Sequence, residues 1–141
     1  MHPSMAIIVK AAKTIFNQVL EKYQDDVKDS ILNAGRDTVE RIITGRRTLE
    51  DWKTISGECV DKIKDRIVAE SGDFRYVGGK LNFAMSEKRN NKVVISFELY
   101  FQDANNEYQK VAADSDLYAS NFTHEALDEI KASGGVSFEV E

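Results

Sequence analysis

Apolar residues recur at intervals of three and four through the first half of this chain and at intervals of two through the second. The first spacing is that of helices, the second that of strands with one buried face. From Met5 to about Tyr23, the residues Ile8, Ala11, Ala12, Ile15, Phe16, Val19, Leu20 and Tyr23 cover half or more of a helical circumference. They leave a narrow polar stripe of Lys10, Lys13, Asn17 and Glu21. An arc that wide needs neighbours on two sides and marks the central helix; docking onto another chain is the alternative. A second helix is expected from about Asp29 to Thr44, with Ile31, Leu32, Val39, Ile42 and Ile43 on one face. Gly35 falls within that face, where another backbone can approach, and Gly45 is its C-cap. The third begins at Thr48, whose hydroxyl caps it while Asp51, three residues on, completes a capping box. Leu49, Trp52, Ile55, Cys59, Val60, Ile63 and Ile67 form its stripe, and Ser71-Gly72 stops it.

From Asp73 the period becomes two. FRYV, Gly78-Gly79 and KLNFAMSEK read as a hairpin, because a Gly-Gly loop supplies the positive φ angles of a type I′ turn. Residues 89–91 turn the chain into KVVISFELYFQ, where Val93, Ile95, Phe97, Leu99 and Phe101 share a face, and residues 103–106 turn it into EYQKVAA. A short helix, capped by Thr123 or Asn121 and ended by Gly134-Gly135, precedes the last strand, VSFEVE. Short turns favour antiparallel neighbours. The expectation is therefore an α+β fold: three N-terminal helices on an antiparallel meander of about five strands, with a short helix before the last. It forms a single domain over 1–141, helical over 5–71 and sheet over 73–141.

Two stretches, ISFEL at 95–99 and VSFEV at 136–140, are nearly the same pentapeptide. Their inward rows are Ile95, Phe97, Leu99 and Val136, Phe138, Val140; their outward rows hold Ser96, Glu98 and Ser137, Glu139, Glu141. Like charges directly opposite on neighbouring strands are destabilising, so these strands are expected to be offset or separated by another strand. Val94 and Tyr100 share the outward row with Glu98, which points to a partly covered face.

A single cysteine, Cys59, excludes an internal disulfide, and no CxxC or Cys/His cluster offers a zinc site. Cys59 lies in an apolar stripe and reads as a small buried hydrophobe. No cofactor or metal is expected. The apolar run MAIIV is too short for a signal peptide, and no segment approaches the ~20 apolar residues of a membrane span, which together point to a soluble, cytoplasmic protein.

The net charge of −5 is unevenly spread: residues 1–71 are neutral, residues 72–92 carry +3 and residues 93–141 carry −8. If several acids of the last third share a surface, the field attracts a basic protein and repels nucleic acid. The expected function is a small protein-binding module, an inhibitor or immunity-type protein that blocks a basic partner such as a nuclease toxin. Its contacts would be Glu98, Asp103, Glu107, Asp114 and Asp116, with Tyr100, Tyr108 and Tyr118 as anchors. The alternative is a small enzyme or ligand-binding domain using His124 as general base with Asp114 or Asp116. A third reading gives the segment 75–92 a weak nucleic-acid role through Arg75, Lys80, Lys88, Arg89 and Lys92, with Phe74, Tyr76 and Phe83 interleaved. No nucleotide or protease motif supports catalysis, and the sequence sets no oligomeric state.

Overall fold

The computed structural model describes residues 5–29 and 46–141; the expected second helix lies outside the described residues. Helix α1 spans Met5–Asp29, running past its expected end at Tyr23. Helix α2 spans Leu49–Ser71. The capping box forms as the sequence implies: Asp51 N–H donates to Thr48 Oγ1 and Thr48 N–H donates to Asp51 Oδ2, both at 3.0 Å. Gly72, at φ +69°, ends the helix.

Strands β1 (Arg75–Met85), β2 (Lys92–Gln102) and β3 (Tyr108–Tyr118) form the meander. A short 3-10 turn over Ala119–Asn121 leads to helix α3 (His124–Ala132), which Thr123 caps through the Ala126 N–H. Strand β4 (Val136–Val140) then returns beside β1, giving one antiparallel sheet in the order β3-β2-β1-β4. The class is α+β, with four strands rather than about five.

The missing strand boundary is Gly78-Gly79. These glycines do not turn the chain; they lie inside β1, where the register with β2 shifts between Tyr76 and Gly78. A Cβ on Gly79 would overlap the Glu98 carbonyl oxygen and stand 2.9 Å from Leu99 Cδ2, while Gly78 has φ +141°. Glycine within a strand serves a bulge and a close backbone approach here, and FRYV and KLNFAM become one strand.

The core lies on one face of the sheet. Leu81, Phe83, the five inward residues of β2, Val111 and Leu117 are buried against Phe16 and Leu20 of α1, Trp52, Val60 and Ile63 of α2, and Ile130 of α3. Phe16 meets Phe97 edge-on at 4.9 Å, and α1 lies chiefly against β3 and α2. Trp52 stacks on Phe122 at 5.3 Å and donates its indole N–H to the Asn121 carbonyl at 2.9 Å. The backbone around Arg47 clasps the same segment: Arg47 N–H donates to Asn121 O, and Thr123 N–H donates to Arg47 O. No helix among the described residues is long and apolar enough to cross a membrane.

Candidate functional site

The described helices all pack on the core face of the sheet, and among the described residues nothing covers its second face. Along β2 every other residue is buried, so Lys92, Val94, Ser96, Glu98, Tyr100 and Gln102 point to the open side. Register then fixes their neighbours. Asp116 stands opposite Val94, Asp114 opposite Ser96, Lys110 opposite Tyr100 and Tyr108 opposite Gln102. On the other flank Asn82 stands opposite Ser96 and Lys80 opposite Glu98, while Ser137 and Glu139 of β4 face Asn82 and Lys80.

Six of the eight residues singled out from the sequence therefore share this face: Glu98, Tyr100, Tyr108, Asp114, Asp116 and Tyr118. Asp114 and Asp116 reach it because β3 continues to Tyr118 instead of turning after Ala113. Tyr108 and Tyr118, at the two ends of β3, are 71% and 51% exposed. The remaining two residues lie in the β2–β3 turn. Asp103 accepts from Asn105 N–H at 2.9 Å, Glu107 N–H at 3.0 Å and Gln109 Nε2 at 3.1 Å. These donors, the Gln109 amide first, hold its carboxyl below the usual aspartate range. Asp103 is thus occupied in building the turn, and Glu107 takes part through its backbone.

Lysines interleave the acids. Lys80 Nζ lies 3.7 Å from Glu98 Oε2, and Lys92 Nζ sits 3.6 Å above the Tyr118 ring. Tyr100 donates its hydroxyl to Glu98 Oε2 at 3.0 Å, and that bond raises the phenol above its ordinary value. Lys80, Asn82, Ser96 and Glu98 line a shallow depression at the centre of the face. The expected concentration of the acidic third on one surface is only partly realised. Glu125, Asp128 and Glu129 are exposed on α3, in the helical layer, and the open face carries Glu98, Asp114, Asp116 and Glu139 against Lys80, Lys92 and Lys110. The unbalanced acid is on β3, where Asp114 and Asp116 stand side by side.

The other candidates disperse. His124 opens α3 in the helical layer, and among the described residues no hydrogen bond or ion pair joins it to Asp114 or Asp116. Phe83 is fully buried, and Tyr76 turns inward against Phe101. Neither ring offers the platform for bases that the nucleic-acid reading needs. Cys59 is 4% exposed, and burial pushes its thiol up to about 11. Among the described residues no three His, Cys, Asp or Glu side chains are grouped to hold a metal ion.

Sequence reasoning missed Lys80, Lys92 and Asn82 as parts of this face. Alternation carried the signal, but the reading of Gly78-Gly79 as a turn left β1's partners undefined. Comparisons with protein families, curated proteins and solved structures give no match, so the site is read from its own geometry.

Proposed function

We propose that this protein is a binding module whose open sheet face, centred on β3, docks a basic protein. The carrying observation is the single row Tyr108, Lys110, Ala112, Asp114, Asp116 and Tyr118 on the side of one strand that no described element covers. Two adjacent carboxylates supply electrostatic complementarity to lysine or arginine, and exposed tyrosines at either end are the residue type that anchors interfaces. Glu98, held by Tyr100 and Lys80, forms the second line of the same surface. In its more specific form the protein is an inhibitor or immunity-type module, covering cations with which a nuclease toxin would otherwise hold phosphate.

The test compares affinity capture by the wild-type protein with capture by an Asp114→Lys/Asp116→Lys variant that keeps its circular dichroism. A basic protein held by the first and lost by the second, with affinity falling about 100-fold and steeply with salt, supports the reading. A partner held equally by both sinks it.

A further inference from the structure

The hydrogen-bond pattern of the β2–β3 hairpin fixes what the outer edge of β3 offers. At one end of the ladder Asp103 N–H donates to Glu107 O, and at the other Ala119 N–H donates to Asn91 O. Both are hydrogen-bonded pairs, and in an antiparallel ladder such pairs alternate with non-bonded ones. Odd-numbered residues of β3 therefore bond β2. The even-numbered ones, Tyr108 to Tyr118, direct N–H and C=O away from the sheet, and β3 is an outermost strand. Among the described residues only two side chains reach that edge: Asn17 Nδ2 donates to Asp114 O at 3.4 Å, and Asn121 Nδ2 to Tyr118 O at 3.3 Å. The backbone groups of Lys110, Ala112 and Asp116 and the N–H of Asp114 have no partner there among the described residues. The opposite edge is a weaker template, since β4 has five residues and exposes Glu139 along it.

We infer that the partner enters as an extended segment that adds a strand to the outer edge of β3, with basic residues at two alternate positions facing Asp114 and Asp116. This rests on the reading of the open face given above and specifies how the partner is held. The residues whose backbone is free are the ones whose side chains stand on the open face, so an added strand places every second side chain beside that row. Cross-strand neighbours lie about 5 Å apart, within reach of a charge pair. An antiparallel segment meets Asp116, Asp114, Ala112 and Lys110 in turn, and its complement is basic, basic, apolar, acidic at alternate positions. A second copy of this chain does not fit the edge. Paired β3 strands would lie about 4.8 Å apart, and each carries an α1 on the same side, whereas packed helices need 8–10 Å between axes. Asn17, the α1 side chain hydrogen-bonded to that edge among the described residues, is displaced by the incoming strand.

The probe is a fluorescein-labelled peptide, valine-threonine-arginine-threonine-arginine-threonine-valine-threonine-glutamate, followed by fluorescence anisotropy against the whole protein. Its odd positions turn their amides toward β3. Expected is saturable binding that weakens at least about tenfold when the central odd amides are N-methylated and stays unchanged when even ones are. Asp114→Lys/Asp116→Lys is also expected to weaken it at least about tenfold, and Asn17→Ala to bind as tightly as wild type or tighter. Charge sensitivity without N-methyl sensitivity overturns strand addition while leaving the basic-partner reading in place. N-methyl sensitivity without charge sensitivity keeps the added strand and removes the basic partner. Absence of binding at millimolar peptide overturns the inference, as does a dimer in sedimentation that Asp116→Lys dissociates, which would make this edge a self-interface.

Discussion

Lys80 and Glu98 face one another across β1 and β2 with their charges 3.7 Å apart, and Lys80 stands in the same register opposite Glu139 of β4. The two glutamates of the repeated pentapeptide are thus held on either side of one lysine, as the repulsion between like charges requires. Replacing that lysine with glutamate puts three acids in a row. Lys80→Glu is expected to lower unfolding free energy by about 1 kcal/mol, read as a lower denaturant midpoint with unchanged slope. The swapped triple variant Lys80→Glu/Glu98→Lys/Glu139→Lys should recover most of it. An unchanged midpoint for the single variant would mean that solvent screens the row.

Gly79→Ala is expected to cost about 3 kcal/mol, the upper range for overpacking, because the added methyl overlaps the Glu98 carbonyl, which is backbone and cannot swing aside. Gly134→Ala, with open space around it but φ +66°, should cost nearer 1 kcal/mol. Thermal or urea unfolding separates the two. A smaller loss at Gly79 than at Gly134 would contradict the close approach of β1 and β2.

The Asp103 carboxyl is held low by the donors of its turn. A group whose folded pKa lies below its unfolded value stabilises the protein above the unfolded value, about 4 for aspartate, and the contribution disappears as pH falls through the folded pKa. Asp103→Ala should therefore be less stable than wild type at pH 7, with the gap narrowing below about pH 4. Paired unfolding curves at the two pH values check the sign; a gap that widens in acid would contradict it.

Cys59 should remain silent toward Ellman's reagent at pH 8 in the folded protein, since burial both covers the thiol and pushes its pKa to about 11. Denaturant should release one reactive thiol per chain, at a rate set by unfolding. Prompt labelling of the native protein would show that the seam around Cys59 opens locally.

Elements whose rules are local were legible in the residues. Thr48 and Asp51 box the start of α2, Thr123 caps α3, and the alternation of β2 is unbroken from Val93 to Phe101. The failures are places where a distant neighbour decides. Gly78-Gly79 satisfies the chemistry of a hairpin turn, yet it is Glu98 and Leu99, some twenty residues on, that make glycine necessary there. The strand at EYQKVAA was read only as far as Ala113, but Ser115 is buried at 4% exposure and the strand continues to Tyr118. That continuation is what carries Asp114 and Asp116 onto the face with Glu98 and Tyr100. The acidic third looked like one surface because sequence records charge density along the chain, while α3 and β3 direct their acids to different sides.

The clasp between the starts of α2 and α3 bears on the order of folding events. Its Trp52–Asn121 bond joins positions 69 residues apart, whereas β1, β2 and β3 are linked by turns of a few residues. Closing the longer loop costs more chain entropy before any contact rewards it. The meander is therefore expected to acquire protection first and the clasp last, so pulse-labelled amides of β2 should resist exchange before those of Arg47 and Thr123. In the reverse direction the same loop opens early, releasing the entrances of two helices in one event while the three-stranded hairpin array persists.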